Sequence, residues 1–329
     1  LIALSLERMN KIEAIDPVSG TMTAGAGVPL QAACDAAEEK GFFFPLDLGA
    51  RGSATIGGNI ATNAGGNRVL RYGMMRELVL GVEAVLADGT VISAMNQMLK
   101  NNAGYDLKQL FIGSEGTLGI VTRAVLRLRA APKSQDTGFV AVDEFAKLPK
   151  LLRHMEAALG GTLSAFEVMW EDFYKLVSTE PAQGRPILPH GSPYYVLVEG
   201  LGGNQDEDTP RFENALMGAL EAGLASDAVI AKSQAERDAM WALRDDVAQV
   251  INLFPIFTYD VSLRIADMET YIEKVKADLS AKVPGHSLIV FGHLGDGNLH
   301  VIVGSHDGTP ETRRLVEGIV YDPLRDIGG

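Results

Sequence analysis

The sequence predicts an α+β protein of two domains, and three observations support this prediction. With 329 residues, the chain is long enough to bury two hydrophobic cores. Short strands and helices rich in Gly, Ala and Asn occupy residues 1–131, whereas longer strands alternate with amphipathic helices over residues 132–329. The change falls at the Ala-Pro-Lys-Ser sequence of residues 131–134, which is typical of a linker. The alternation in the second part predicts a sheet layered against helices.

The elements of the first domain are predicted from short apolar runs between glycine-rich turns. The best-marked helix, residues 28–40, has Pro29 in its first turn and ends at Gly41, and both positions favour those residue types. Strands are predicted at residues 12–15, 21–25, 79–87 and 120–129.

The second domain has longer periodic segments. Alternating or continuous apolar runs predict strands at residues 138–142, 163–169, 194–200 and 259–263. Amphipathic stretches predict helices at residues 144–159, 210–223, 233–250, 267–281 and 310–326. A strand hairpin is expected between the last two helices.

Composition excludes several classes of partner. The 29 basic and 42 acidic residues give a net charge of −13, which disfavours binding to nucleic acid or to an anionic membrane. The single cysteine, Cys34, excludes an internal disulfide and suits a reducing cytoplasm. No apolar run approaches the roughly 18 residues of a membrane span, and no signal peptide is recognisable. Because the chain begins inside the strand-like run 1–6 and ends just after a helix, we expect further residues at both ends.

The hairpin carries the most informative residues of the chain. Residues 292–300 read Gly-His-Leu-Gly-Asp-Gly-Asn-Leu-His, between two apolar, β-rich runs. Asp296-Gly297 is a dipeptide that a two-residue type I′ turn favours, because both central residues need a positive φ. A turn centred there places His293 directly opposite His300, with Cβ atoms about 5 Å apart on one face. Asn298 projects from the same face.

Two imidazoles at this separation can bind one metal ion. A catalytic zinc site often adds a carboxylate to two histidines, but no third ligand is identifiable from spacing. Zinc is favoured only slightly, since imidazole also suits other first-row metals. The alternative is that both histidines are surface residues beside a common type of turn. The other four histidines show no comparable arrangement (His154, His190, His286 and His306).

A second candidate site is the glycine-rich segment at residues 53–67. Two glycine pairs, Gly57-Gly58 and Gly65-Gly66, enclose several Asn and Thr side chains. Glycines let backbone N–H groups approach a ligand, and Asn and Thr add neutral donors, which suits a polar, phosphate-bearing cofactor. The segment is neither a Walker A loop nor a Rossmann fingerprint. The alternative is a loop that packs only against the protein itself.

Residues 111–122 repeat glycine every third residue before an apolar strand. Glycines at this spacing hold a helix poorly, so a tight turn is predicted that presents backbone amides beside Ile120 and Val121. Together the two glycine-rich segments indicate two loops of one cofactor site.

These motifs, in this order, resemble those of the flavin-dependent oxidoreductases of the vanillyl-alcohol-oxidase (PCMH) type. Within that group the chain is most similar to the FAD-linked dehydrogenases of D-2-hydroxy acids, above all the D-2-hydroxyglutarate dehydrogenases. The matching stretches span nearly the whole chain and comprise residues 45–49, 56–66, 70–73, 104–120, 241–244 and 292–300.

The resemblance implies an FAD-binding domain at residues 1–131 and an α+β substrate-binding domain at residues 132–329, with an antiparallel sheet covered by helices. It further implies that the loop for the FAD pyrophosphate precedes Leu1. A Glu-His pair, which supplies the third metal ligand and the catalytic base in that group, would follow Gly329.

The resemblance also implies the site residues. The positions that would contact FAD are Ser53, Thr55, Gly57, Gly58, Asn59, Thr62, Asn63, Gly65, Gly66, Glu115, Gly116, Gly119, Ile120 and Val121. His293 and His300 match two metal-ligating histidines, and Asn298 completes the catalytic set with Arg244. Arg244 matches the arginine that binds the substrate carboxylate, which a guanidinium can hold by two parallel hydrogen bonds. The alternative for this arginine is a surface ion pair with Asp245 or Glu236.

Three polar substrate contacts of the hydroxyglutarate-type enzymes are missing at the matching positions. Thr258 stands where those enzymes have Lys, Ala248 where they have Thr, and Ile302 where they have Asn. Arg264, which stands where members usually have Pro, is a cation that could replace the lysine.

The resemblance implies oxidation of a D-2-hydroxy acid to the 2-oxo acid, with hydride transfer to FAD and assistance from a divalent metal. The electron acceptor is not identified, and the oligomeric state is open, a homodimer included. D-Lactate or glycolate is the alternative substrate that suits Ala248 and Ile302. A non-catalytic FAD-binding subunit of a redox complex is the alternative of another class, and a metal-dependent hydrolase without flavin is a third.

Overall fold

The computed structural model describes residues 3–329, which divide into two compact units. Unit 1 extends to Pro132, and unit 2 comprises Lys133–Gly329. In the predicted strand-like run 1–6, residues 1 and 2 lie outside the described residues, and residues 3–6 form no strand. Within residues 3–329, the helices are all too short or too polar to cross a membrane.

Unit 1 is built on an antiparallel sheet. Its strands are β1 (Ile12–Asp16), β2 (Thr21–Gly25), β3 (Phe42–Phe43), β4 (Val79–Val85), β5 (Val91–Ala94), β6 (Ile120–Arg127) and β7 (Arg129–Ala130). Its helices are α1 (Leu30–Glu38), α2 (Ile56–Ala61), α3 (Val69–Tyr72), α4 (Met75–Leu78) and α5 (Lys108–Phe111). Five strands pair in the order β1-β2-β6-β4-β5, and β3 pairs separately with β7.

The glycine-rich segment 53–67 is not a loop throughout, because α2 occupies its centre. Thr55 caps this helix, and its hydroxyl accepts a hydrogen bond from the N–H of Gly58 at 3.3 Å. Ile56 and Ile60 lie four residues apart and are both fully buried. Packing of these two side chains and the cap therefore outweigh the low helix propensity of glycine.

Unit 2 contains seven strands and six helices within the described residues. The strands are β8 (Ser134–Val142), β9 (Leu163–Trp170), β10 (Tyr194–Gly202), β11 (Asp227–Ile230), β12 (Ile256–Ser262), β13 (Ser287–His293) and β14 (Asn298–Gly304). The helices are α6 (Leu148–Leu159), α7 (Glu171–Ser178), α8 (Gln205–Glu221), α9 (Gln234–Asp245), α10 (Ile265–Lys282) and α11 (Pro310–Ile327).

The strands of unit 2 form one antiparallel sheet in the order β11-β8-β10-β9-β13-β14-β12, which confirms the predicted α+β class. Helices pack on both faces of this sheet. On one face, a Cβ atom at Gly138 or Gly200 would lie 3.3 Å from the ring of Phe212, so α8 lies directly on the strands. On the other, Phe173 of α7 stacks on Phe291 of β13 with ring centroids 4.1 Å apart. We call this second side of the sheet the α7 face.

The sequence misses α7 and β11 and merges two segments into one helix at residues 233–250. The helix α9 ends at Asp245, and Val247–Leu253 form a 3₁₀-helix. Val247, Val250 and Leu253 pack into the core of the α7 face at three-residue spacing. A repeat of three places these side chains on one side of a 3₁₀-helix, which explains the change of helix type.

Candidate active site

The predicted hairpin forms from β13 and β14, but the predicted two-residue turn is wrong. His293 lies opposite Asn298 rather than His300. Leu294–Asp296 form a 3₁₀ turn, and Gly297 alone in the turn has a positive φ, of 87°. The side chain of Leu294 is fully buried, so tertiary packing draws two more residues of the first strand, Leu294 and Gly295, into the turn.

The two histidines nevertheless share the α7 face. Phe291 lies opposite His300, and His293 follows Phe291 by two residues. Because side chains alternate along a strand, all three lie on one side of the sheet. The imidazole centroids of His293 and His300 are 5.3 Å apart, with an angle of 78° between the rings. The two imidazoles are diagonal neighbours, close enough to share one ligand.

A buried carboxylate connects His293 with Arg244. Glu167 lies on β9, and its side chain is 1% exposed. Its Oε1 is 2.7 Å from Nδ1 of His293. Its Oε2 accepts a hydrogen bond from Nε of Arg244 at 2.9 Å, and Nη2 of Arg244 lies 2.9 Å from the same oxygen. One carboxylate therefore holds both predicted site residues.

These neighbours keep Glu167 ionised. Burial raises the pKa of its carboxyl group, but His293 and Arg244 outweigh burial and hold the pKa below its usual range. For His293, burial lowers the pKa, whereas Glu167 raises it, and the net shift is upward. Breaking such a buried pair by removing one partner typically costs about 3–5 kcal/mol, so the three side chains depend on one another.

His300 has its own carboxylate partner. Nδ1 of His300 is hydrogen-bonded to Oδ1 of Asp260, which lies directly opposite on β12. The hydrogen bond from His300 lowers the pKa of Asp260. The Asp260 side chain is 73% exposed, so water shields this pair far more than it shields the pair of Glu167.

The two carboxylates determine which imidazole nitrogens remain available. An ionised carboxylate only accepts hydrogen bonds, so each Nδ1 carries a proton, and the neutral imidazole then keeps its lone pair on Nε2. Metal-binding histidines are typically held in this way. The donor set therefore fits a divalent ion at the two Nε2 atoms. Among residues 3–329, no three His, Cys, Asp or Glu side chains are placed to hold a metal together.

Arg244 lies on α9 and is 5% exposed. Its guanidinium carbon lies 5.1 Å from the ring centroid of Phe291, beside the two histidines. Its Nη1 lies 3.5 Å from Oδ1 of Asp245, one of the two surface partners considered as the alternative. The ion pair with Glu167 is shorter, at 2.9 Å, and is buried, so Glu167 is the main partner of Arg244. A guanidinium has five N–H donors, so donors remain for a second carboxylate.

Two of the three missing polar contacts fall beside the histidines. Thr258 lies directly opposite Ile302, and both lie on the α7 face two residues from Asp260 and His300 respectively. Ile302 is buried, so this part of the face offers one hydroxyl group and an apolar surface without charge. Arg264 is exposed and pairs with Asp267 at 2.7 Å, at the start of α10. Asn298 donates its side-chain amide to Val261 O at 3.3 Å.

In unit 1 the two glycine-rich segments are neighbours. The N–H of Gly113 donates to the carbonyl of Ile60 at 3.0 Å, and the N–H of Glu115 donates to the carbonyl of Ala61 at 2.9 Å. The turn at residues 113–116 is thus fixed to the last residues of α2. The residues predicted to contact FAD belong to the two segments that meet at this junction.

Two features of this junction fit a bound polar ligand. Asn63 and Glu115 have positive φ values of 49° and 50°, which are uncommon for residues other than glycine and concentrate at binding sites. The buried Nδ2 of Asn59 has no hydrogen-bond partner among the described residues. An unsatisfied buried donor costs about 1–3 kcal/mol, so an acceptor atom of FAD would relieve it.

Two of the predicted glycine contacts are explained by packing of the chain against itself. A Cβ atom at Gly66 would lie 1.9 Å from the carbonyl oxygen of Asp47. A Cβ atom at Gly57 would lie 2.6 Å from the Cβ of Ala26. At both positions, glycine is required because another segment of the protein approaches closely.

We expect Gly66→Ala to lower both the thermal unfolding midpoint and the FAD content of the purified protein. The added methyl group must push the chain away from Asp47, and such overpacking typically costs about 1–3 kcal/mol. Gly52→Ala is the matched control, because a Cβ atom there has no neighbour within 4 Å. Calorimetry and flavin absorbance per protein measure the two effects. Equal values for both variants would contradict the close approach at Gly66.

Sequence reasoning missed three residues that organise these sites: Glu167, Asp260 and Arg76. The signal for Glu167 is a single carboxylate inside the apolar strand 163–169, whereas Asp260 resembles any solvent-facing residue of an alternating strand. Arg76 fixes the glycine-rich junction, because its N–H donates to Oδ1 of Asn63 at 2.9 Å and its Nη2 to the carbonyl of Ile112 at 2.6 Å.

Two families match this chain. Residues 131–327 match the family of "FAD linked oxidases, C-terminal domain", and residues 1–94 match the family "FAD binding domain". The chain therefore belongs to the FAD-linked oxidases. This confirms the predicted resemblance and the predicted cofactor, FAD.

Two curated relatives and one solved structure refine the comparison. The mitochondrial D-2-hydroxyglutarate dehydrogenase of Bos taurus is 39% identical over 322 residues, which cover 98% of this chain and 58% of the bovine protein. The D-2-hydroxyglutarate dehydrogenase of Xanthomonas citri pv. viticola is 39% identical over 310 residues, which cover 94% of this chain and 65% of that protein. The chain thus spans less than two thirds of either relative. The structure of p-cresol methylhydroxylase with bound substrate superposes with a TM-score of 0.74 at 16% identity. The match covers 97% of this chain and 69% of the methylhydroxylase chain, which confirms the fold.

Proposed function

We propose that this chain oxidises a D-2-hydroxy acid to the corresponding 2-oxo acid, with FAD as the hydride acceptor. One observation carries the proposal: a buried arginine, Arg244, and the imidazoles of His293 and His300 lie on the same face of one sheet. Within residues 3–329, the Nε2 atoms of both imidazoles have no hydrogen-bond partner. In a 2-hydroxy acid the carboxylate and the hydroxyl group are on adjacent carbons, so one compact cluster can bind both. Residues 1–131 would be the FAD-binding domain and residues 132–329 the substrate-binding domain.

Arg244 would bind the substrate carboxylate. A guanidinium can form two parallel, charge-assisted hydrogen bonds to a carboxylate. Glu167 and the ring of Phe291 hold the guanidinium in one orientation. This anchoring orients the substrate so that the hydroxyl group faces the histidines.

His293 and His300 would face the substrate hydroxyl group, with Asn298 beside them. A divalent ion at the two Nε2 atoms would act as a Lewis acid and lower the pKa of that hydroxyl group. FAD, held by residues of the 53–66 and 113–121 segments, would supply the hydride acceptor. Glu167 and Asp260 accept the Nδ1 protons, which would leave the Nε2 lone pair of each neutral imidazole to face the substrate.

A small monocarboxylate, D-lactate or glycolate, is the second candidate substrate class. The second carboxylate of D-2-hydroxyglutarate would require another cation near the histidines. The cross-strand pair of Thr258 and Ile302 carries no charge, and Arg264 is exposed and paired with Asp267. The uncharged surface therefore favours a short side chain on the substrate.

We expect the protein loaded with FAD and metal to oxidise D-lactate with a kcat/KM above that for L-lactate and for D-2-hydroxyglutarate. Initial rates with an artificial electron acceptor, together with identification of the 2-oxo product, measure this preference. A higher kcat/KM for D-2-hydroxyglutarate would reject the small-substrate candidate and keep the reaction class. Stable FAD binding without oxidation of any 2-hydroxy acid would instead favour a non-catalytic subunit.

The single cysteine supports a reducing compartment, and we propose the cytoplasm. The acidic composition argues against nucleic acid as a partner. The bovine relative, by contrast, is named as a mitochondrial protein. Fractionation of the source cells followed by immunodetection tests this proposal.

A further inference from the structure

We infer that Glu167 is a positioning residue that couples His293 to Arg244, so that metal binding and carboxylate binding strengthen each other. The inference rests on the proposed function, because it concerns the same site. It adds a specific link between the two binding events and names the residue that carries it.

The geometry gives each partner its own oxygen atom. Oε1 of Glu167 bonds to Nδ1 of His293 at 2.7 Å, and Oε2 bonds to Nε of Arg244 at 2.9 Å. Both oxygens belong to one rigid, planar group that is almost completely excluded from water. A shift of the imidazole therefore moves the guanidinium, because no solvent can replace either hydrogen bond.

Aromatic packing restricts the alternatives open to this cluster. The Arg244 guanidinium lies over the ring of Phe291, and Phe173 stacks on that ring at a centroid distance of 4.1 Å. The ring of His300 lies 4.7 Å from Phe291. Arg244 and His300 thus both pack against Phe291, and the ring of His293 lies beside that of His300, so the link through Glu167 acts within a tightly packed group.

The coupling follows from the charge that Glu167 shares between its two partners. An imidazole that ligates a metal through Nε2 donates its Nδ1 proton more strongly, which draws the carboxylate charge toward His293. Arg244 is then less neutralised and binds a substrate carboxylate more tightly. By thermodynamic linkage, a bound carboxylate tightens metal binding by the same factor.

Glu167→Gln breaks this link while keeping the side-chain volume. Gln has one acceptor oxygen and one NH₂ donor, so it can accept from only one partner. If its oxygen faces Arg244, the NH₂ group faces Nδ1 of His293 and favours the tautomer protonated at Nε2. If the amide is reversed, the NH₂ group faces the guanidinium instead. Either orientation separates the two binding events.

Glu199→Gln is the matched control. Glu199 is a fully buried carboxylate on the neighbouring strand β10. It accepts hydrogen bonds from the neutral donors Ser164 Oγ at 2.8 Å, Gln135 Nε2 at 2.8 Å and Trp241 Nε1 at 3.1 Å. Both variants thus lose one buried carboxylate, but only Glu167→Gln also loses the link between His293 and Arg244.

The experiment is a calorimetric titration of the FAD-loaded protein with Zn²⁺ alone, in the absence and presence of pyruvate, the 2-oxo product of D-lactate oxidation. We expect E167Q to bind Zn²⁺ about 10- to 100-fold more weakly than the wild type. Pyruvate should tighten Zn²⁺ binding in the wild type and in E199Q, but much less in E167Q. E199Q should lower the unfolding midpoint while its Zn²⁺ affinity stays within about threefold of the wild type, because the carboxylate bonded to Nδ1 of His293 is unchanged.

When E167Q folds, two outcomes overturn the inference. Zn²⁺ binding that depends on His293 and His300 but is unaffected by E167Q overturns the inference alone. Zn²⁺ binding that does not depend on the two histidines overturns it together with the proposed metal site. Should E167Q not fold, His293→Ala without added metal provides the test. Glu167 would then neutralise Arg244 alone, so pyruvate should bind more weakly than to the metal-free wild type, and equal binding overturns the coupling.

Discussion

Replacement of Arg244 with methionine is expected to lower kcat/KM for a D-2-hydroxy acid by roughly 1,000-fold or more. The variant loses the group that would bind the substrate carboxylate, and it leaves Glu167 buried without its cation. Each loss is of the size that buried charge pairs show, about 3–5 kcal/mol, and about 4 kcal/mol corresponds to a factor of 1,000. Steady-state kinetics measures the effect, and calorimetry reports the accompanying loss of stability.

Two further variants separate charge from geometry at this position. Arg244→Lys keeps the charge but not the planar fork, so it should recover only part of the lost kcat/KM. Arg237→Met is the matched control on the same helix, because Arg237 bonds to Gln234 rather than to a residue of the α7 face. We expect its kcat/KM to stay within a few-fold of the wild type, because Arg237→Met leaves the bonds between Arg244 and Glu167 in place. An R244M enzyme with an unchanged kcat/KM would contradict the role of Arg244.

Removal of the divalent ion is expected to reduce turnover by about 100-fold or more, because a Lewis acid at the hydroxyl group contributes several kcal/mol. Addition of Zn²⁺ or another first-row metal ion should restore the wild-type enzyme after chelation. His293→Ala and His300→Ala should not recover, because each removes one of the two free Nε2 atoms. Rates before and after chelation, with metal analysis of the same samples, measure this dependence.

His306→Ala is the control for the histidine variants, since His306 is exposed and pairs with the neighbouring Asp307. It should keep both its metal content and its response to metal addition. Full activity of a wild-type enzyme shown by analysis to be free of metal would contradict the metal-assisted mechanism. So would full activity of either His293→Ala or His300→Ala.

The sequence predicted the shared face of the two histidines even though it predicted the wrong turn. Moving the partner of His300 from His293 to Phe291 shifts the pairing by two residues, and a shift of two keeps every side chain on its face. The common face therefore follows from the alternation of the strand alone. The turn itself depends on the burial of Leu294, which is a tertiary contact that the local sequence does not contain.

The role of Glu167 could not be read from local sequence for a similar reason. Its hydrogen bonds depend on β9 pairing with β13 and on α9 packing against the same face, and both contacts are distant in sequence. The sequence signal was limited to a carboxylate within an apolar strand.

In unit 1, tertiary packing changes the secondary structure that the local sequence suggests. The glycine-rich stretch suggests a loop, but it becomes helical where Ile56 and Ile60 are buried.

The most direct test is the absorbance spectrum of the FAD-loaded protein under anaerobic conditions, before and after addition of D-lactate, glycolate or D-2-hydroxyglutarate in separate samples. We predict an oxidised-flavin spectrum that is bleached by at least one of these acids in the wild type. The same acid should bleach the R244M variant far more slowly. A protein that contains no flavin, or whose flavin none of the three acids can reduce, would contradict the proposed oxidation of D-2-hydroxy acids by this chain.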